Sequence, residues 1–333
     1  MNQSLKEIGS INTQVRILSV NAQIEAARAG EAGRSFGVVA TSMRELSGRT
    51  ASVADDLATG MQTDIGELSH ISERLSHDVR GQRLTDLALT NIDLIDRNLY
   101  ERTCDVRWWA TDASIVQACE KSDEPGSMEY ASQRMGVILD AYTVYYDLVL
   151  CSLDGQVLAN GRPQTYRSRG KSAASQEWFK SATRTSSGDE YGFQGVHPSD
   201  LVDGNRILAY SCGVREGGAA NGRLIGVLGV LFNWDALAQT IVNNTPLSDA
   251  ERPLSRVLII NGQGSVLADT ENRMLIDTID FDGLTTLLDQ KKGFTGAHVR
   301  GAPSIVAHAF SPGYETYATG WHSLIIQKQS QSG

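Results

Sequence analysis

Six histidines and four cysteines are the side chains of this 333-residue sequence best suited to hold a metal or act as nucleophiles. Their spacing argues against both roles. His70 and His77 stand seven apart, two turns along a helix, too far to chelate one ion without further ligands. His197 and His298 recur at matching places in a repeat, which puts them in separate modules with a shared strand-edge role. Cys104, Cys119, Cys151 and Cys212 form no CxxC pair and read as reduced packing thiols. No metal or cofactor is expected. There is no G-x-S-x-G elbow, Walker loop, HExxH helix or G-x-G-x-x-G after a strand, and "GDEYGF" (Gly188 to Phe193) has no phosphate loop beside it. Binding, not catalysis, is the expected chemistry.

A formal charge of -9 gives counterion release the wrong sign for nucleic acid or an anionic membrane face. The most basic run, "RPQTYRSRGK" (Arg162 to Lys171), reads as a polar loop, so no nucleic-acid partner is expected. Apolar residues make up 41% of the chain, yet no run approaches the roughly 18 a membrane helix needs, and "MNQSLKEIGSINTQ" is too polar for a secretory signal. A soluble, cytoplasmic protein is expected.

The elements that must position any site follow two different patterns. From Lys6 to about Thr111 there is no proline, and apolar residues recur at gaps of three and four. One stripe is Ile8, Ile11, Val15, Leu18 and Ala22; another is Val39, Met43, Leu46, Thr50, Val53 and Leu57. This spacing predicts coiled-coil seams in which each apolar position meets a partner helix. Between them lies "NAQIEAARAGEAGRSFGVVA", where Gly30 suits the left-handed residue that ends a helix, so the two form an antiparallel hairpin. A second helix from about Arg34 to Thr111 would be roughly 115 Å long at about 1.5 Å per residue. That length outruns the first helix and predicts a parallel homodimer, with a four-helix bundle near the turn.

Beyond that point strands alternate with glycine turns, and the chain repeats itself. "LVLCSLDGQVLAN" (Leu148 to Asn160) aligns with "VLIINGQGSVLAD" (Val257 to Asp269), "GFQGVH" (from Gly192) with "GFTGAH" (from Gly293), and "RILAYS" (from Arg206) with "SIVAHA" (from Ser304). Each repeat predicts a small antiparallel sheet with its helices on one face. The fold class is multidomain: an all-α antiparallel coiled-coil hairpin with one long helix, then an α+β region of two modules.

"ILSVNAQIEAARAGEAGRSFGVVATSMRELSGRT" (Ile17 to Thr50) resembles the hairpin tip of methyl-accepting chemotaxis proteins. The resemblance implies contacts with other chemoreceptors, a CheA-type histidine kinase and a CheW-type coupling protein. Glu25, Arg28 and Glu31 would be polar tip contacts, and Ile17, Val20, Phe36 and Val38 apolar ones. With a first arm of about 28 residues, adaptation by methylation is not expected. The repeat resembles a double Cache sensor, two PAS-like modules after the long helix "NIDLIDRNLYERTCDVRWWATDASIVQAC", against which Trp108 and Trp109 would pack. On this basis residues 1–90 are signalling hairpin and stalk and 91–333 the sensor. Within it, the long helix covers 91–118, the first module 130–240 and the second 255–328.

Such sensors bind a small molecule in the first module, between the sheet and a helical loop. Where amino-acid-binding members carry R-x-W-Y, this sequence has Gln176, Glu177, Trp178 and Phe179. The resemblance implies a pocket walled by Tyr166, Trp178, Tyr191 and Tyr210, with Arg169 and Gln176 as polar groups. Two functions remain open: a soluble chemoreceptor-like transducer that modulates a CheA-type kinase, and a small-molecule-binding scaffold or dimerisation protein that joins receptor arrays without signal output.

Overall fold

A computed structural model describes residues 2–329 and divides the chain into two compact units that part between Val79 and Arg80. In the first unit, helix α1 (Asn2–Arg28) turns through a single 3-10 turn at Gly30–Gly33 into helix α2 (Arg34–Trp109). Two glycines make the turn in different ways. Gly30 has φ +59°, the left-handed conformation a side chain resists. Gly33 lies against the backbone carbonyl of Ala26, where a Cβ would collide with main chain that cannot move aside.

The two helices meet through small residues. Ser19 and Ala26 of α1 and Ala40 and Ser47 of α2 are buried. Asn12 Nδ2 donates to the Ser47 carbonyl at 2.9 Å, and Ser47 Oγ donates to Asn12 Oδ1 at 2.7 Å. Within the single hairpin the apolar stripes do not meet each other. Ile11, Leu18, Leu46 and Val53 each remain more than half exposed. A seam of Ser and Ala draws the helices together on one edge and leaves the larger apolar groups beside it uncovered.

In the second unit α2 ends at Trp109, and Asp112 caps a separate helix α3 (Ala113–Glu120) by accepting from Ser114 N at 2.9 Å. The expected helix 91–118 is therefore two helices, broken where an aspartate side chain competes for the backbone. Trp109 is buried edge-on to Tyr142 and Tyr145, as expected, but Trp108 is 71% exposed. Helix α4 (Ser127–Ala141) leads into the first sheet.

That sheet comprises β1 (Tyr145–Cys151), β2 (Val157–Asn160), β3 (Gly192–Ser199), β4 (Asn205–Arg215) and β5 (Leu224–Asn233), in the order β2-β1-β5-β4-β3. Helix α5 (Glu177–Thr183) lies between β2 and β3, and α6 (Trp234–Asn243) leads to the second sheet. The second sheet comprises β6 (Ser255–Ile260), β7 (Val266–Asp269), β8 (Lys292–Val299), β9 (Ala302–Phe310) and β10 (His322–Lys328), with α7 (Leu284–Leu288) before β8. Its order, β7-β6-β10-β9-β8, is the same, and all neighbours are antiparallel.

The strand registers correct one of the sequence alignments. Leu148 pairs with Val230, which pairs with Tyr210; its counterpart Val257 pairs with Ile325, which pairs with Ala307. Tyr210 therefore matches Ala307, and Ser211 matches His308, one position away from the pairing of "RILAYS" with "SIVAHA". A slip of one residue exchanges the faces of a sheet. Tyr210 accordingly faces α2, while His308 faces away from it.

Both sheets turn one face to α2. Leu84, Ile92, Ile95, Leu99 and Val106 share a core with Leu148, Tyr210 and Val230 of the first sheet and Val257, Ala307 and Ile325 of the second. The expectation of helices on one face only is corrected, because the opposite faces are covered too. Trp178, Phe179 and Ala182 of α5 pack over Val149, Ala209 and Leu231; Ile279, Phe281 and Leu287 pack over Leu258, Val306 and Leu324. The inner strand β4 is buried continuously from Ile207 to Arg215, which is how a strand covered on both sides reads.

Candidate functional site

The first candidate site is the end of the hairpin. The last turn of α1 holds Glu25 and Arg28 one turn apart, with Arg28 Nη1 to Glu25 Oε1 at 3.0 Å and both side chains largely exposed. Glu31 lies 3.5 Å from Arg34 and is similarly open. Ile17, Phe36 and Val38 are more than half exposed, and Val20 is 39% exposed. The turn thus presents a charged cluster beside an uncovered apolar surface, suited to a protein partner.

The second candidate site is the α5-covered face of the first sheet, and the structure does not bring its expected residues together. Trp178 is fully buried on this face, and a Cβ on Gly229 would meet its ring atoms Cζ3 and Cη2 at 2.7 and 2.8 Å. The indole occupies the space that a side chain on β5 would take. Tyr166 packs edge-on to Tyr146 on the same side, with ring centroids 6.4 Å apart. Gln176 is the N-cap residue of α5 but makes no capping hydrogen bond. Gln194 on β3 does so instead, its Oε1 accepting from Glu177 N at 2.9 Å and Trp178 N at 3.2 Å.

The other three lie elsewhere. Tyr191 and Tyr210 belong to the opposite, α2-facing core, where Tyr210 shares a 2.8 Å hydrogen bond with the Tyr317 hydroxyl. Arg169 is exposed and paired with Glu129 of α4 at 3.1 Å. One sheet thickness separates Tyr191 and Tyr210 from Trp178, so these side chains do not line one pocket. The sequence repeat contained the necessary signal, since in the correct register Tyr210 matches a residue that faces α2.

Of three polar groups on the α5 side, sequence reasoning named Trp178, set His197 aside as a strand-edge residue and missed Ser168. Among the described residues, Trp178 Nε1, Ser168 Oγ and His197 Nε2 are buried polar atoms without a hydrogen-bond partner. His197 stands opposite Ile207, whose side chain belongs to this face, and its Nδ1 is 2.7 Å from the Gly195 carbonyl. Burial lowers the His197 pKa, which favours the neutral ring. Orphaned buried polar atoms cost about 1–3 kcal/mol each, so water or a bound molecule is the usual remedy. At the start of β1, Asp147 is buried and accepts from Asn160 Nδ2 at 2.7 Å and Arg162 N at 3.0 Å. Burial nonetheless pushes its carboxyl up to about 6.

The sequence also gave no sign of how the sheets are tied to α2. Asp96 of α2 is fully buried and accepts from Ser311 Oγ (2.7 Å), Gly313 N (2.8 Å), Thr319 N (3.1 Å) and Thr319 Oγ1 (2.8 Å). These donors all belong to the loop between β9 and β10. The same loop places Tyr314 under the Arg97 guanidinium, 4.4 Å from the ring centroid, and Tyr317 against Tyr210. One loop therefore links the first sheet, the second sheet and α2.

Two sheets of identical order share one helix, and this fold is similar to that of solved chemoreceptor ligand-binding domains. The chain is similar to the ligand-binding domain of Campylobacter jejuni chemoreceptor Tlp3 in complex with 4-methylisoleucine, with a TM-score of 0.54 and 14% identity, covering 74% of this chain and 90% of that one. It is also similar to the ligand-binding domain of Pseudomonas fluorescens chemoreceptor CtaA in complex with L-leucine, with a TM-score of 0.52 and 14% identity, covering 74% of this chain and 94% of that one. At such identity the likeness concerns the fold.

Residues 1–94 match the methyl-accepting chemotaxis protein signalling domain. Relatives include methyl-accepting chemotaxis protein PscA of Pseudomonas syringae pv. tomato, 37% identical over 108 residues (30% of this chain, 17% of the relative), and McpG of Pseudomonas putida, 51% identical over 82 residues (25% and 12%). The chain thus spans less than a fifth of the length of these relatives. They are signal transducers, in keeping with the expectation that the chain is not an enzyme. Among the described residues no helix is long and apolar enough to cross a membrane.

Proposed function

We propose that this chain is a cytoplasmic chemoreceptor-type signal transducer that senses a small molecule through its two-module double Cache region and modulates a CheA-type histidine kinase through the hairpin tip. The observation that carries the reading is a chemotaxis signalling sequence folded as a hairpin, whose second helix α2 also forms the core of a region with the chemoreceptor ligand-binding fold. Glu25, Arg28, Glu31 and the apolar residues around them would meet the kinase, a CheW-type coupling protein and other chemoreceptors. The uncovered stripe through Ile11, Leu18, Leu46 and Val53 supports a homodimer, because a second hairpin would bury it.

The ligand would enter the α5 side of the first sheet, where Trp178 Nε1, Ser168 Oγ and His197 Nε2 await partners and Tyr166 supplies an aromatic wall. Tyr191 and Tyr210 would act behind the sheet, passing a shift of β4 to Tyr317 and the loop held by Asp96. A ligand acts this way only if it favours one arrangement of the sheet over another. Small amphiphilic metabolites, amino acids included, are the class to try, given the ligands of Tlp3 and CtaA.

The test is an array reconstituted from this protein, a CheA-type kinase and a CheW-type coupling protein, with phosphorylation followed as amino acids are added. Kinase activity should depend on the protein and change with ligand, and reversal of charge at Glu25 should abolish the dependence. Tip crosslinking without any change in kinase activity would replace this reading with that of a scaffold.

A further inference from the structure

A cleft of about 520 Å³ opens on the side of the second sheet that faces away from α2. Its walls are Arg256 of β6, the segment from Glu271 to Asp280 after β7, and Val299 and Arg300 at the end of β8. We propose that this cleft is a second binding site, separate from the first sheet, and that it takes a small organic carboxylate.

Three guanidiniums converge there on one carboxylate. Asp277 accepts from Arg256 Nη2 at 3.0 Å, Arg273 Nη2 at 2.8 Å and Arg300 Nη2 at 2.8 Å. Arg256 is buried and also held by Asp269, so it belongs to the sheet framework. Arg273 and Arg300 are half exposed, and each guanidinium carries five N–H donors, more than these contacts use. Arg300 Nη1 is met at 2.6 Å by Glu271, itself 44% exposed. Glu271 therefore holds the place that an incoming carboxylate would take, and Asp277 keeps the arginine in position during the exchange. Paired N–H donors are the usual means of gripping a carboxylate.

Two further features mark the cleft as a built site. Arg300 sits at φ +49°, a conformation a long side chain seldom adopts, beside Gly301 at φ +78°. That turn carries the guanidinium across to the β7 side. The loop after β7 is also short. In the first sheet, Gly170 N closes the corresponding loop onto the Val157 carbonyl after residues 161–169; in the second, Leu275 N closes it onto Val266 after residues 270–274. The longer loop brings Tyr166 over Tyr146, while the shorter one leaves Ile279 and Val299 lining an open cleft.

Calorimetric titration of the full chain with succinate tests the assignment, with sulfate as a general anion and putrescine as a cation for comparison. Succinate should bind and raise the melting temperature, and R300Q should weaken it at least tenfold. E271Q should tighten binding several-fold by removing the competing carboxylate, an effect of opposite sign that loss of an ion pair alone does not produce. The assignment is overturned if succinate fails to bind, if sulfate binds as well as succinate in both wild type and R300Q, or if neither variant changes the affinity. It does not depend on kinase coupling, because binding alone is read. A succinate response lost on changing His197 but kept in R300Q would instead place the ligand on the first sheet.

Discussion

Asp96→Ala gives the most direct measure of how firmly the second sheet is tied to α2. The carboxylate is fully buried and receives four hydrogen bonds, two from backbone N–H groups and two from hydroxyls. Hydrogen bonds to a charged acceptor contribute about 1.5–3 kcal/mol each, but four that share one carboxylate are not additive, and water entering the cavity recovers part of the loss. Deleting the acceptor of a buried polar cluster costs about 3–5 kcal/mol, which in a domain of this size lowers the melting temperature by roughly 10 °C. Hydrogen exchange localises the effect: the amides of Gly313 and Thr319 should lose protection first, since both donate to Asp96. Asp96→Asn keeps the shape but turns one acceptor into a donor facing donors, so it should cost nearly as much. A loss below about 1 kcal/mol with unchanged exchange in the loop would refute the claim that this carboxylate clamps it.

Three other outcomes follow from the geometry. Gly229→Ala drives a Cβ into the Trp178 ring and should destabilise the first sheet by about 1–3 kcal/mol in urea unfolding, whereas Gly195→Ala on the same sheet, with open space around it, should cost less. His308 is buried against His322, with Nε2 to Nδ1 at 2.7 Å, and burial lowers its pKa to about 4, while His322 shifts in the same direction. The unfolded chain then binds the extra proton first, so stability present above about 6.5 is lost as pH falls toward 4, by at most roughly 3 kcal/mol from His308. Asp147, raised to about 6, gains stability over much of the same range on acidification, so the measurement is the wild-type curve minus that of His308→Gln, in which Asp147 cancels. Gly33→Ala at the hairpin turn should abolish tip crosslinking in arrays and leave the fluorescence of the buried Trp178 unchanged, because its Cβ meets only the Ala26 backbone.

How much was legible depended on whether a residue's role is local. The hairpin was readable because Gly30 and Gly33 act within one turn, and because the repeat of three and four announces helices wherever they pack. The duplication was readable too, since "SLDGQVLAN" and "NGQGSVLAD" each carry their own turn. What packs against what was not. The apolar stripes suggested a seam, yet the single hairpin closes on Ser19, Ala26, Ala40 and Ser47, which are inconspicuous in a hydrophobic count. The pocket residues failed for a related reason. Assigning Tyr210 to a wall required the face of β4, and a strand buried on both sides has no alternation from which to read a face. Asp96 is one of many aspartates in the sequence and becomes special only through donors more than 200 positions away.

The two sheets show what duplication kept and what it released. The α2-facing side retains apolar residues at matched positions, Leu148 with Val257 and Val230 with Ile325, because both sheets must fit one helix. On the outward side the matched residues diverge in kind. Asp147 held by Asn160 becomes Arg256 held by Asp269, and Ser211, which donates to the Trp178 carbonyl at 2.6 Å, becomes His308 paired with His322. A change from anion to cation at the same strand position alters which charge a cleft accepts without disturbing the sheet order. Constraint on the helix side and freedom on the outer side would let two modules take different ligands while both bear on α2. If a second effector acts through the Arg300 cleft, its influence and that of a ligand on the first sheet must meet at the loop that joins Asp96, Tyr317 and Tyr210. Asp96→Ala should then uncouple the two sites, leaving each ligand's affinity independent of the other.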